Sequence, residues 1–276
     1  MAITAAAVNE LRKMTGAGMM DCKKALTEVG GDFEAAIDLL RKKGQKISAN
    51  RADRDATEGA VIALASDDST VGVIVRLSCE TDFVAKNADF IALADNIAKI
   101  ALENKAADLD ALKALSIDGQ VISERLTEEM GKIGEKIDVS KYDIVSGASV
   151  INYIHAGNRI GVLVELSLPT NDDISAAGKD VAMQIAAMNP VSVGQDDIPA
   201  DVIERELEIG REQARAEGKP EQIIEKIAMG KLNKFYKENT LTKQSFVKDT
   251  SVSVEGMLKG IDADLKVSSF SRIALG

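Results

Sequence analysis

Thiol and imidazole side chains, which often serve as nucleophiles, bases or zinc ligands, are scarce in this chain. They are Cys22, Cys79 and His155, which lie far apart without C-x-x-C or H-x-x-x-H spacing. We therefore expect no structural zinc site. Counting alone leaves a Cys–His nucleophile pair open, but both cysteines fall in phase with apolar neighbours and are predicted to be small buried side chains.

Phosphate-binding motifs are also missing from the sequence. There is no G-x-x-x-x-G-K-[ST] loop, and the Gly-Ala-Gly of residues 16–18 is followed by Met-Met-Asp, so a G-x-G-x-x-G fingerprint is incomplete. We predict neither catalytic residues nor a cofactor or metal site, and the chain is not expected to be an enzyme.

A carboxylate next to an aromatic ring stands where a predicted strand meets a predicted helix. From Val71 to Glu80 apolar residues alternate with others, with the period of two of a strand. Behind Asn87, a potential cap, apolar side chains recur at helical spacing. Asp82 and Phe83 lie between them. The local sequence alone favours Phe83 as a core residue over Phe83 as a recognition residue.

Composition limits the classes of protein to consider. The chain has 276 residues, a mean hydropathy of −0.04 and a net charge of −10 from 34 basic and 44 acidic residues. An acidic surface argues against general nucleic-acid binding, which needs clustered basic residues. No apolar run approaches the roughly 20 residues that span a bilayer, and the N-terminus lacks the basic region of a secretion signal. We expect a cytoplasmic protein without membrane or direct nucleic-acid contacts.

Three short helices are predicted within residues 1–43, separated by glycines near residues 16–18 and 30–31. Residues 44–57 are polar and charged and are predicted to be a linker, part of it helical. Met19 and Met20 are adjacent, so at least one of them should be exposed, and flexible methionine suits a docking surface.

An internal repeat indicates the architecture of the remaining chain. Residues 71–78 and 160–167 share five of eight positions, and the similarity extends outward to Gly-Ala pairs and to helical Ala and Ile positions. We predict an α+β fold with two related subdomains, 58–145 and 146–276, each with a small antiparallel sheet and helices. Thr81 matches Thr170, but Asp82-Phe83 is replaced by Asn171-Asp172. A required core plug should recur in both copies, so the repeat favours Phe83 as an exposed recognition residue.

Residues of about 197–237 are predicted to form an antiparallel helical hairpin within the second subdomain, broken at Gly218-Lys219-Pro220. The facing side chains are predicted to be Val202, Ile203, Leu207 and Ala214 on one helix and Ile223, Ile227, Ala228 and Leu232 on the other.

Four segments resemble the bacterial elongation factor Ts family. They are residues 11–26, from Leu-Arg-Lys-Met-Thr-Gly-Ala-Gly to Lys-Lys-Ala-Leu, the Glu-Thr-Asp-Phe-Val-Ala-Lys of 80–86, the His-Ala-Gly-Asn-Arg-Ile-Gly-Val-Leu-Val of 155–164, and Gly218-Lys219-Pro220. They occur in family order along nearly the whole chain. The resemblance implies a ubiquitin-associated-type three-helix domain, a two-part core and a helical coiled-coil hairpin.

The resemblance also implies a function, guanine nucleotide exchange on the GTPase elongation factor Tu during translation elongation. The factor would bind the GDP-bound and nucleotide-free GTPase and promote GDP release by inserting Asp82-Phe83 near the magnesium and phosphate site. The partner-binding residues that it implies are Thr81, Asp82, Phe83, Val84, Arg12, Met19, Met20, Ile133, Gly134, His155, Phe246 and Val247. The stoichiometry, one-to-one or 2:2, stays open.

Two other classes of function are weighed against this one. The first is a peptide-binding or ubiquitin-like-binding scaffold built on the N-terminal helices. The second is a thiol enzyme that uses Cys79 beside Asp82.

Overall fold

The computed structural model describes residues 3–51 and 53–276. Met1 and Ala2, in the predicted first domain, and Ala52, in the predicted linker, lie outside the described residues. The chain forms two compact units: unit 1 comprises Met1–Ile62, Val75–Asp143 and Ala274–Gly276, and unit 2 comprises Ala63–Ile74 and Ile144–Ile273. Among the described helices, none is long and apolar enough to span a membrane.

Three helices form the N-terminal part of unit 1: α1 (Ala5–Thr15), α2 (Met19–Glu28) and α3 (Phe33–Arg51). Thr4 caps α1 by accepting a hydrogen bond from the Ala7 N–H, and Gly16 ends it with a φ of +66°. The helices enclose a small apolar cluster of Val8, Leu11, Ala17, Cys22, Ala25, Leu26 and Ala36. The predicted three helices are therefore present.

Helix α3 is longer than the sequence suggested. We predicted a domain end at residue 43 and a linker at 44–57, part of it helical; α3 continues past residue 43 to Arg51, so the helical part of that segment belongs to α3. Gly44 is buried, and a Cβ added at Gly131 of α7 (Ile122–Ile133) would lie 2.8 Å from the Gly44 Cα. Two facing glycines let the backbones of α3 and α7 approach closely, and Gln45, Lys46 and Asn50 are exposed residues of the same packed helix.

The first repeat contains β1 (Glu58–Ala65), β2 (Val71–Cys79), α5 (Ala88–Asn104) and β5 (Asp138–Ser146), with the sheet order β1-β2-β5. A single helical turn, α4 (Asp82–Ala85), lies between β2 and α5. Between α5 and β5 the chain forms α6 (Leu109–Ala114), the two-residue strands β3 (Ser116–Ile117) and β4 (Gln120–Val121), and α7.

The second repeat follows the same plan. It contains β6 (Ser149–His155), β7 (Ile160–Leu166), α8 (Asp172–Met188) and β10 (Val267–Ala274). Strands β6 and β7 are antiparallel, and the sheet order is β10-β7-β6. In both repeats the third strand therefore lies beside the second, as a duplicated strand-turn-strand-helix unit would give.

The core of the second repeat is formed by one face of α8 against β6 and β7. Leu241, Val254 and Leu258 also belong to this cluster.

The helical hairpin consists of α9 (Ala200–Ala216) and α10 (Glu221–Asn239). Our prediction that Ile223 faces α9 is wrong, since Ile223 is 41% exposed and Ile224 is buried. The buried side of α10 consists of Ile224, Ala228 and Leu232, which recur every four residues. After the hairpin come β8 (Ser245–Phe246), β9 (Asp249–Ser253) and α11 (Val254–Ile261).

Candidate partner-binding site

Helix α4 presents the most exposed large apolar side chain of the described chain. The Phe83 side chain is 84% exposed. Thr81 begins the turn, because its hydroxyl accepts a hydrogen bond from the Val84 N–H at 3.5 Å, and none of the four residues of α4 is buried. The aromatic ring is therefore outside the core, in agreement with the recognition role that the repeat favoured.

Helix α4 is separate from α5 because the backbone becomes extended at Asn87. Asn87 caps α5 by accepting a hydrogen bond from the Asp89 N–H at 2.8 Å. In the second repeat Asn171 caps α8 directly, so no separate turn precedes that helix. The exposed turn is thus a feature of the first repeat alone.

Asp82 lies on the same turn and forms an ion pair with Lys86, with 2.6 Å between Lys86 Nζ and Asp82 Oδ2. The hydrogen bond and the positive charge of Lys86 lower the pKa of Asp82 below its ordinary value. Asp82 is therefore a carboxylate at neutral pH. The turn offers a negative charge next to an apolar ring.

Two carboxylates tie the turn to the segment that follows α7. Glu135 accepts hydrogen bonds from the Thr81 N–H at 3.0 Å and from the Thr81 hydroxyl at 2.7 Å. Glu80 accepts a hydrogen bond from the Lys136 N–H at 2.6 Å. Our sequence analysis missed Glu135, because it lies 54 positions beyond Thr81 and no local pattern signals the contact.

Glu80 also binds two arginines, one at the C-terminal end of α3 and one just after it. Its oxygens accept hydrogen bonds from Arg51 at 2.5 Å and from Arg54 at 3.1 Å. Burial raises the pKa of Glu80, but the Lys136 N–H and the two guanidinium groups outweigh this effect, so that the pKa is lowered. Glu80 therefore joins three segments of unit 1 at the base of the turn.

Ile133 and Gly134 lie next to this network. Helix α7 ends at Ile133, and Gly134 follows with a φ of +80°, a conformation that favours glycine. The Ile133 side chain is exposed. Because Glu135 holds Thr81, the structure brings the predicted residues of 81–84 and 133–134 together.

The remaining predicted residues of unit 1 lie on the N-terminal helices. Arg12 is on α1 and Met19 and Met20 begin α2, and all three are exposed. Both methionines rather than one are therefore available at the surface. The end of α1 approaches α7, because a Cβ added at Gly16 would lie 3.3 Å from the side chain of Lys132.

In unit 2, His155 and Val247 are exposed, whereas Phe246 is only 6% exposed. The Tyr153 hydroxyl and His155 Nδ1 are 2.9 Å apart. The Val247 N–H donates to the buried side chain of Gln184 at 2.8 Å. The ring of Phe246 is a packing group in this structure, so any partner contact of this pair would fall to Val247.

The cysteines have the environment of structural residues. Both are buried. Burial, followed by the charges of Glu135 and Glu58, raises the pKa of the Cys79 thiol to about 12, and its Sγ donates to the Thr81 carbonyl at 3.2 Å. A protonated buried thiol is a poor nucleophile, which argues against the thiol enzyme. Within residues 3–51 and 53–276, no three His, Cys, Asp or Glu side chains are grouped as a metal site.

Comparison with known proteins gives the family. The sequence model described as Elongation factor TS matches residues 80–276. The chain belongs to the elongation factor Ts family. Elongation factor Ts of Cytophaga hutchinsonii is 54% identical over 274 residues, covering 99% of each chain. That of Amoebophilus asiaticus is 53% identical over 276 residues and the whole of both chains, and that of Christiangramia forsetii is 52% identical over 274 residues and 99% of both.

Membership of the elongation factor Ts family confirms the resemblance found in the sequence. The family consists of nucleotide exchange factors of translation elongation, which are not catalysts of bond chemistry. The match begins at Glu80, the first residue of the corner that carries Phe83.

Proposed function

We propose that this protein binds elongation factor Tu, in its GDP-bound and nucleotide-free forms, and promotes the release of GDP. The observation that carries the proposal is the position of Phe83. Its aromatic ring is 84% exposed and lies on a separate helical turn, α4, which the second repeat lacks. Aromatic side chains are the commonest anchors of protein interfaces. The activity would take place in the cytoplasm, where translation occurs.

Exchange needs differential binding and no bond chemistry. A factor that binds the empty GTPase more tightly than the loaded one weakens nucleotide binding by the same factor, because the coupling of two ligands is reciprocal. We propose that Phe83 inserts where it fits only a rearranged nucleotide pocket, and that Asp82 accompanies it near the magnesium and phosphate groups. Loss of the ion then removes charge stabilisation from the phosphates.

The other contacts would hold the two proteins together while the turn acts. Thr81 and Val84 flank Phe83 in the chain, and Ile133 and Gly134 immediately precede Glu135, which accepts two hydrogen bonds from Thr81. We propose Arg12, Met19 and Met20 as contacts of the N-terminal helices. His155 and Val247 are the accessible candidates of unit 2.

Phe83→Ala tests the proposal by stopped-flow release of fluorescent GDP from the cognate elongation factor Tu. We expect the wild type to accelerate release and Phe83→Ala to lose about 2 kcal/mol of coupling, or roughly thirtyfold in rate. The fold should be unaffected, because the ring is exposed. Ile261→Ala, which also removes an exposed apolar side chain, is the matched control and should act like wild type.

No acceleration by the wild type would refute the exchange function. An active Phe83→Ala protein would instead refute the role of the ring while leaving the activity established. The mass of the complex formed in the same mixture distinguishes a one-to-one assembly from a 2:2 assembly.

A further inference from the structure

The base of the exposed turn contains a reciprocal pair of hydrogen bonds between two chain segments. The Glu80 carboxylate accepts from the Lys136 N–H at 2.6 Å, and the Glu135 carboxylate accepts from the Thr81 N–H at 3.0 Å. Each segment thus supplies one carboxylate and one N–H to the other. We call these two glutamates and the two N–H groups that they bind the carboxylate clasp.

We propose that the carboxylate clasp positions the Phe83 turn for exchange, with Glu135 as its principal positioning residue. The proposal rests on the proposed function and adds two residues that do not themselves need to touch the GTPase. They act through Thr81, the residue that begins α4.

Glu135 controls the direction of the Thr81 hydroxyl. Its Oε1 accepts a hydrogen bond from the Thr81 hydroxyl, with 2.7 Å between the two oxygens, which leaves the lone pairs of the Thr81 oxygen to accept from the Val84 N–H at 3.5 Å. The N-cap of α4 is therefore oriented by a side chain from another segment. Without Glu135 the Thr81 hydroxyl could still cap α4, but the orientation of the hydroxyl and the anchor of Thr81 to the 135–136 segment would be lost.

The clasp is needed because the turn has no core of its own. None of the four α4 residues is fully buried, and Val84 and Ala85 are only half-buried, so apolar packing fixes the direction of Phe83 less firmly than it would in a core element. Hydrogen bonds to charged acceptors are short and directional and can replace packing as a means of fixing geometry. They also tie the turn to Ile133 and Gly134, immediately before Glu135.

A misplacement of about 1 Å in a group that must fit a tight site can cost on the order of a hundredfold in rate. We therefore expect Glu135→Ala to lower the maximal rate of GDP release, at saturating factor, by about tenfold or more. The factor concentration that gives half of the maximal rate should change by less than about threefold, because Arg12, Met19 and Met20 still provide binding.

Glu135→Gln provides a conservative comparison. The amide has one acceptor oxygen where the carboxylate has two, so only one of the two hydrogen bonds from Thr81 can persist. We expect an intermediate loss of the maximal rate. Glu103→Gln, which changes an exposed glutamate of α5 in the same unit, should match the wild type.

A double-mutant cycle separates a positioning role from a general loss of structure. If Glu135 acts through the ring, Glu135→Ala should cause no further loss once Phe83→Ala is present. Additive losses of the two changes, or a Glu135→Ala protein with the wild-type maximal rate, would overturn the proposal.

Hydrogen exchange of the free protein tests the clasp without the GTPase. The Thr81 and Lys136 amides should be protected in the wild type, and Glu135→Ala should expose the Thr81 amide while core strand amides keep their protection. An unprotected Thr81 amide in the wild type would overturn the clasp itself. A protected amide together with a wild type that does not accelerate GDP release would instead locate the failure in the proposed function.

Discussion

Two residues of the corner after β2 lie four positions apart and have opposite environments. Cys79 ends the strand and is fully buried, whereas Phe83 is almost fully exposed. A single turn of chain therefore passes from the core to the surface. The residue with the chemically reactive group is enclosed, and the residue with a purely apolar group is displayed, which is the reverse of what a thiol enzyme would need.

Cys79 should react slowly with thiol reagents. A pKa of about 12 leaves a thiolate fraction on the order of one part in ten thousand at pH 8, and burial blocks access as well. Labelling with a chromogenic disulfide should proceed only as fast as the protein opens, and it should accelerate in denaturant. Rapid labelling of Cys79 in the native protein would contradict its burial.

Glu80 should make the stability of the protein depend on pH in the acid range. Its folded pKa lies below its ordinary value, so its contribution is complete above the unfolded pKa of 4.5 and is lost as the pH falls through the folded pKa. At pH 7, Glu80→Gln should lower the free energy of unfolding by about 1–3 kcal/mol, because a 15%-exposed carboxylate loses its charge toward two arginines.

Urea unfolding of wild type and Glu80→Gln at pH 7 and at pH 3 measures this effect. The difference between the two proteins should shrink at the lower pH, because below the unfolded pKa of 4.5 the unfolded wild-type chain binds a proton at Glu80 that the folded protein binds less readily. A difference that stays the same at both values of pH would show that the charge of Glu80 does not stabilise the fold. Glu103→Gln again serves as the control.

At the scale of elements, the close contact of α3 and α7 depends on the small size of Gly44 and Gly131. A Cβ at position 131 would lie 2.8 Å from the Gly44 Cα, a distance that side chains do not reach without moving the backbone. Gly131→Ala should therefore destabilise the protein by about 1–3 kcal/mol in chemical denaturation.

Gly230→Ala is the matched control, since Gly230 is also a helical glycine but has nothing within 4 Å of an added Cβ. This change should stabilise the protein by up to about 1 kcal/mol through helix propensity alone. Equal effects at both glycines would mean that propensity, and not the approach of α3 to α7, governs position 131.

Elements whose sequence patterns are local could be predicted from the sequence. Features that depend on contacts between residues far apart in the chain could not. The strand of residues 71–79, the cap Asn87 and the repeat are legible in the chain, and the structure contains them, although every residue of β2 is buried and not every second one. The extension of α3 depends on Gly131, which lies 87 positions beyond Gly44, and no local pattern shows this contact. The one-residue error at Ile223 has a local cause, because two adjacent isoleucines fit either phase of a helix.

Only part of the candidate site could be predicted from the sequence, because some of its residues are marked by local patterns and others only by distant contacts. Asp82 and Phe83 stand out locally because aromatics are rare in this sequence and the second copy lacks the pair. Glu80 and Glu135 do not stand out among the 44 acidic residues, since their importance comes from the N–H groups that they meet in three dimensions.

At the scale of the whole molecule, the helical hairpin is an insertion into unit 2. Residues 191–193 run beside 239–242 with backbone hydrogen bonds, so the two ends of the hairpin meet. The apolar cluster of the second repeat contains no residue of α9 or α10.

Replacement of residues 200–238 by a short Gly-Ser linker should therefore leave the second repeat folded. We expect a cooperative thermal transition and protected amides in β6, β7 and α8 by hydrogen exchange. Removal of α11, whose Val254 and Leu258 belong to the cluster, should abolish that protection. Loss of the transition after the hairpin is replaced would show that the hairpin is part of the core.

The absence of the α4 turn from the second repeat has a consequence for descent. The two copies share strands, sheet order and a capped helix, so these features are the inheritance of one ancestral unit. The turn that carries Phe83 lies outside that inheritance, either gained by one copy or lost by the other. The second repeat is therefore an internal reference for the first. Inserting Thr-Asp-Phe-Val into the loop before α8 would test whether the second repeat can also hold an exposed aromatic turn.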